Sequence, residues 1–205
     1  MGDAERDAMS ERTVASGSLL VASSAMTDPN FAETVVLMLD VDSDGALGVV
    51  LNRPSSVLVS DVLGEWGDVV SEPEVLFHGG PVGIDGALAV GLLADADDAP
   101  VGFRPLWVPG DSGPGGSSVL GIVDLDTPLE LVTGSLAGLR VFAGYAGWGA
   151  QQLQGEVARG DWYVVPGDLH DVYRGAPGAL RRDVLRRQPG ELAWHSTRPA
   201  DPALN

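Results

Sequence analysis

Cysteine is absent from this 205-residue chain, and so is lysine: all 12 basic residues are arginine. Without cysteine there is no disulfide framework, no thiolate nucleophile and no cysteine-held metal. With only 3 histidines, a transition-metal site would need carboxylates from distant segments. No apolar run approaches the roughly 18 residues that a membrane-spanning helix requires. Residues 1–17 are polar and acidic, without the apolar stretch of a secretory signal. These absences point to a cytoplasmic protein with no membrane contact, and the expectation is no metal and no cofactor. The missing lysine, beside abundant Ala, Gly, Val and Asp, fits a GC-rich genome and is silent about function. Positive charge is scarce overall: 29 Asp and Glu against 12 Arg leave a net charge of −17. Phosphate backbones repel such a chain unless its few cations gather on one face. Direct nucleic-acid contact is therefore disfavoured.

What is present suits one domain, expected over residues 17–195 between a tail at 1–16 and a loose tail at 196–205. An apolar fraction of 44% is enough for a substantial core. Apolar runs at 17–22 and 34–39 read as strands, the second covered on both faces. Further strands are expected at 75–82, 87–93, 119–124 and 162–165, and a short apolar piece at 106–108. Ser60 to Trp66 reads as a short helix capped by Ser60, and Pro128 to Val132 as one opening on proline. Ala179 to Arg187 reads as a helix with Leu180, Val184 and Leu185 on its buried stripe.

Two motifs mislead. Asp40-Val41-Asp42-Ser43-Asp44-Gly45 opens like a calcium-binding loop, but its twelfth position is Leu51 and its flanks look like strands. A hairpin with an acidic turn fits better. Gly110-Asp111-Ser112-Gly113 is the nucleophile tetrapeptide of trypsin-like proteases. Only His78 precedes it, too close for the intervening barrel. A Gly-Pro loop is the simpler reading.

The candidate site residues fall into two groups. Leu51-Asn52-Arg53-Pro54 ends a strand; proline holds Arg53 extended, so its side chain leaves in a fixed direction, and Asn52 can form an Asx turn. Arg53 is either an ordinary solvated or paired side chain, or half of an anion- or partner-binding pair. His78 ends a strand ahead of Gly79 and Gly80, as a hydrogen-bonded structural histidine or a catalytic one. The second group lies in Val141 to Trp162: an apolar strand, a glycine-punctuated turn carrying Tyr145 and Trp148, then a helix from Gly149 to Arg159. Gln152 and Glu156 share one face of that helix, and the amides opening it could hold an anion. Together Asn52, Arg53, His78, Gly79, Gly80, Tyr145, Trp148, Gln152 and Glu156 are the candidate binding residues. No nucleophile–base pair or metal triad is visible, so no catalytic residue is assigned.

The blocks Gly45-Ala46-Leu47-Gly48-Val49-Val50-Leu51-Asn52-Arg53-Pro54 and Phe142-Ala143-Gly144-Tyr145-Ala146-Gly147-Trp148-Gly149-Ala150-Gln151-Gln152-Leu153 stand out. Glu156 and Trp162 follow the second, and Gly79-Gly80-Pro81-Val82 lies between the two. In this order they make the chain, over about residues 17–188, strongly resemble the YqgE/AlgH family of bacterial proteins. It departs from the family where Ser23-Ser24 replaces a usual proline and where Val90-Gly91-Leu92 lacks a frequent histidine. The resemblance implies an α+β fold: a mixed, bifurcated β-sheet curled into a pseudo-barrel with helices packed outside. It also brings a label, regulator of transcription, but no catalytic or ligand-binding residues. The expected function is a non-enzymatic binding or regulatory protein acting through protein partners. Two alternatives stay open. One is a ligand-binding protein or enzyme using a pocket near Asn52, Arg53 and His78. The other is direct DNA binding through the Arg181–Arg187 helix.

Overall fold

The computed structural model describes residues 13–93, 95, 97–106 and 118–196. The expected tails, the 109–116 Gly-Pro loop and part of the 106–108 piece therefore lie largely outside the described residues. Ten strands form one sheet. In chain order they are β1 (Ser18–Ala22), β2 (Val35–Val41), β3 (Gly45–Val50), β4 (Pro54–Leu58), β5 (Val75–His78), β6 (Val82–Leu93), β7 (Phe103–Pro105), β8 (Val119–Val123), β9 (Leu136–Gly149) and β10 (Trp162–Pro166). The helices are α1 (Val59–Leu63), α2 (Gln152–Arg159), α3 (Leu169–Tyr173), α4 (Leu180–Arg186) and α5 (Leu192–His195), with single 3-10 turns at Gly64–Asp68, Leu129–Leu131 and Pro177–Ala179.

The main path of the sheet runs β10-β1-β2-β3-β9-β6-β8-β7. Strand β9 forks it. One edge of β9 pairs antiparallel with β6. On the other edge Ala146–Gly149 pair antiparallel with β3, while Phe142 and Ala143 pair parallel with β5, which carries β4. The sheet also curls. Laid flat, β2 and β7 would stand five strand spacings apart, about 24 Å, yet Arg104 on β7 reaches Asp40 on β2 at 3.3 Å. The α+β class and the bifurcated, curled sheet are thus as the family resemblance implies.

Side chains of a strand alternate between faces, and the core follows. Leu19 and Val21 point into the curl with Leu37, Val49, Phe77, Phe142 and the inner faces of α3, α4 and α5. Leu20 and Ala22 point outward, under α2, with Val36, Met38, Trp148 and Trp162. A third cluster joins Leu139 and Val141 to Val59 and Trp66 beneath α1 and the following turn. Coverage on both faces explains why residues 18–22 and 35–39 are buried throughout and read as unbroken apolar runs. The buried stripe of α4 is Leu180, Val184 and Leu185, as its spacing predicts.

Several local expectations are corrected. The turn expected at Tyr145–Trp148 is the continuous end of β9. Its glycines serve the fork instead, with Gly144 at φ 68° passing close to the carbonyls of Gly80 and Val82. The helix after it starts at Gln152, not Gly149, because Gln151 takes a left-handed φ of 63°. Ser60 lies inside α1 and caps nothing; Leu58 precedes the helix. The strand expected from Ala87 begins at Val82. The acidic turn at 42–45 is a hairpin turn in which the Asp42 carboxylate accepts from the amides of Asp44 and Gly45 at 2.8 and 3.0 Å.

Candidate functional site

The first group of candidates meets the loop that joins β1 to β2. Proline at 54 sends Arg53 off the end of β3, and its guanidinium donates to three carbonyls: Asn30 at 2.7 Å, Pro29 at 2.9 Å and Ala32 at 3.1 Å. Asn52 does not form the expected Asx turn. It reaches back 17 and 19 residues, accepting from the Val35 amide and donating to the Glu33 carbonyl, both at 2.9 Å. Arg181 adds a third support, donating through Nε and Nη2 to the Ala22 carbonyl at 3.1 and 2.9 Å and pairing with Glu33 at 3.2 Å.

The second group meets the same loop from the other side. Glu156 is the hub. One carboxylate oxygen, Oε2, accepts from the indole N–H of Trp148 at 2.9 Å and from that of Trp162 at 2.8 Å. The other accepts from Gln152 at 3.0 Å, and the Gln152 side-chain oxygen accepts from the Gly149 amide at 3.1 Å. The two indoles stand edge to face with centroids 6.1 Å apart, and Phe31 stacks on Trp148 at 5.8 Å and meets Trp162 edge-on at 5.6 Å. Phe31 belongs to the loop whose carbonyls Arg53 holds. Offset and edge-on ring pairs contribute about 0.5–1.5 kcal/mol each beyond their buried area.

Gly79 and Gly80 sit at the fork. Gly79 links both branches, donating its amide to the Ala143 carbonyl and accepting from the Val50 amide, each at 2.9 Å. A Cβ on Gly79 would collide with the Gly144 carbonyl, and one on Gly80 with the Tyr145 backbone. Both positions therefore need glycine for close backbone approach. Tyr145 is half-buried against the inner core and lies beside Gly83. His78 corrects its hydrogen-bonded reading. Its side chain is exposed and makes no hydrogen bond or ion pair among the described residues, while its backbone amide donates to the Arg53 carbonyl.

Asn52, Arg53, Trp148, Gln152 and Glu156 thus share one structural task, holding the 28–34 loop and its neighbours, while Gly79 and Gly80 hold the fork. No group of three or more metal-binding side chains is found among the described residues. Helix α2 opens at Gln152, three residues after the expected start, so the Gly149 N–H lies ahead of its first turn and donates to the Gln152 side chain.

The arginines of the C-terminal helices are engaged within the chain. Asp183 takes Arg174 at 2.7 Å and Arg186 at 2.8 Å, and the Arg174 hydrogen bond holds its carboxyl below the usual range. Arg187 binds Asp171, and that hydrogen bond raises the guanidinium further. One buried cation was not singled out from the sequence. Arg140, 1% exposed, donates to the Glu72 carbonyl at 2.6 Å and lies over the Phe77 ring at 4.3 Å. Its Nε has no partner among the described residues, and burial pulls its pKa down to about 10. The available signal was a charge inside the apolar run Leu139-Arg140-Val141-Phe142.

A family model described as AlgH-like matches residues 19–193. A UPF0301 protein of Streptomyces avermitilis is 48% identical over 200 residues, covering 96% of this chain and 98% of the relative. The crystal structure of protein DIP2367 from Corynebacterium diphtheriae is similar with a TM-score of 0.82 and 31% identity, over 97% of this chain and 100% of that one. The solution structure of the AlgH protein from Pseudomonas aeruginosa, at 23% identity and a TM-score of 0.58 over 90% and 94%, shares the fold.

Proposed function

The chain belongs to the AlgH-like family of bacterial proteins, and on that footing we propose that it is a non-enzymatic binding or regulatory protein acting through protein partners in the cytoplasm. One observation carries the reading: the polar groups that could have made a site are occupied by the protein itself. Glu156 accepts three donors, Arg53 donates to three carbonyls and Asn52 makes two backbone bonds. General acid–base or nucleophilic chemistry needs a group free to reach a reacting atom. Among the candidates the His78 imidazole and the Tyr145 hydroxyl are left without a hydrogen bond among the described residues, and neither has a second group bonded to orient it. No helix among the described residues is long and apolar enough to cross a membrane.

Regulation through proteins, and not by direct DNA contact, is supported by charge. The net charge is −17, and Arg174, Arg181, Arg186 and Arg187 are bound to carboxylates or carbonyls of their own chain. Phosphates would have to displace those partners. Affinity capture with the full chain as bait, followed by mass spectrometry, tests the reading. The expected result is the same stable partner under several conditions; a bait that retains nothing overturns it. A gel-shift series is expected to show no salt-sensitive DNA complex.

A further inference from the structure

We propose that the face formed by β4 and α1 is the docking surface, and that its occupant is a basic polypeptide segment carrying apolar side chains. The inference rests on the partner-binding reading above and adds the place and the chemistry. Val57, Leu58 and Val62 are 41%, 44% and 57% exposed, within six residues of one another. Such clustering differs from the singly scattered apolar residues of an ordinary surface. The register explains it. Strand β4 pairs with β5 at Pro54 and again only at Leu58, so four steps on one strand match two on the other. Residues 55–57 are pushed out of the ladder, and the Val57 amide turns back to the Ser55 hydroxyl at 3.1 Å. That bulge blunts the edge against strand addition, so docking here is by side chains.

The platform is firm. Val59 is fully buried and Trp66 is 8% exposed, both in the third cluster. The Val59 amide donates to the Glu74 carbonyl at 3.0 Å. Gly67 lies so close to Ser60 that a Cβ would meet its backbone at 2.8 Å, which fixes the 3-10 turn against α1. A preorganised surface loses little entropy on binding.

Charge selects the occupant. From Pro54 to His78 there are five carboxylates, Asp61, Glu65, Asp68, Glu72 and Glu74, and no arginine or lysine. All five are exposed, and none makes an ion pair among the described residues. Glu74 precedes Val75, the register partner of Leu58, and Asp61 precedes Val62, so the exposed carboxylates and the exposed apolar side chains come from the same short stretches of chain. A second copy of this chain would set carboxylate against carboxylate, which opposes association. A segment with Arg or Lys beside apolar anchors complements both features, giving apolar burial at the centre and charge pairing at the rim.

The test uses the isotope-labelled full chain and three short synthetic peptides of equal length: alternating Arg and Leu, alternating Arg and Ser, and alternating Glu and Leu. Amide shifts are followed by NMR. The Arg/Leu peptide is expected to shift residues 55–68 and to bind at least about tenfold more tightly than either control. Leu58→Asp and Val62→Asp change exposed side chains, so melting should stay put while Arg/Leu binding falls about tenfold or more. Asp61→Lys with Glu65→Lys should weaken it through charge alone. Equal binding of the Arg/Ser peptide, shifts centred elsewhere, no binding, or self-association of the free chain through Val57–Val62 each overturn the proposal. A capture bait carrying Val62→Asp separates the two readings. If it holds the same partner as the unsubstituted bait, this face is wrong and partner binding stands. If neither bait holds anything, the functional reading itself falls.

Discussion

Glu156→Ala is the sharpest probe of how this protein is held together. The substitution removes the acceptor of two indole N–H groups whose residues are nearly closed to solvent, Trp148 at 5% and Trp162 at 2% exposure. A buried donor left without a partner costs about 1–3 kcal/mol. Two of them, with the Gln152 bond lost as well, give an expected destabilisation of about 3 kcal/mol. In a domain of this size each kcal/mol moves the melting temperature by about 2–4 °C, so the expected drop is about 6–12 °C. Glu156→Gln keeps one oxygen able to accept from both indoles while its amide nitrogen turns toward Gln152, and should cost about 1 kcal/mol. The assay is urea unfolding followed by tryptophan fluorescence, because the cluster contains two of the five tryptophans and reports its own exposure. A loss below about 1 kcal/mol for Glu156→Ala would refute the hub. So would an unchanged stability accompanied by loss of a captured partner, which would make Glu156 a recognition residue.

Other substitutions test other joints. Arg53→Ala should cost about 1–3 kcal/mol and, more specifically, speed amide hydrogen exchange at residues 30–35 while leaving α4 unchanged. Gly79→Ala should destabilise by about 2–4 kcal/mol or prevent folding, since its Cβ would meet the Gly144 carbonyl. Gly178→Ala, with nothing within 4 Å, should stay within about 0.5 kcal/mol by chemical denaturation. Asp183 titrates below its ordinary 3.8 because of Arg174. A depressed carboxyl stabilises the fold above that value and loses the contribution as pH falls through its folded pKa. Asp183→Asn should therefore be less stable than the unsubstituted chain at pH 7, with the difference closing as pH falls from 3.8 through the lowered folded pKa.

Much of the fold was legible because it followed local rules. The runs at 17–22 and 34–39 announced strands, the second of them covered on both faces, and Leu180, Val184 and Leu185 announced the inner stripe of α4. Tyr145–Trp148 was misread because glycine usually marks a turn. Here Gly144 and its neighbours let three strands approach at a fork, a long-range cause that local pattern does not carry. The site was half legible. Gln152 and Glu156 were placed on one face from their spacing, and they do bond each other. That the Glu156 carboxylate would point at two indoles depended on Trp162 crossing from the next strand. That Asn52 and Arg53 would reach the 29–35 backbone depended on the pairing of β2 with β3, which brings residues about 20 positions apart together.

The two marker blocks therefore share one object. Arg53 and Asn52 grip the backbone of the 29–35 segment, while Trp148 and Trp162 grip its side chain, Phe31. Each grip alone would leave the segment a hinge: carbonyl bonds fix position without fixing which way the ring points, and ring stacking fixes the ring without fixing the chain's path. Both together also tie β1 and β2 to α2 and β9, across the outer face of the curled sheet. Loops of this kind normally vary freely in conformation, and this one is restrained by two independent devices. The polar side chains that define the family pattern in this chain then act inward. On the proposed reading, recognition then falls to surfaces outside the pattern, such as the exposed Val57, Leu58 and Val62 beside the buried Val59 and Trp66.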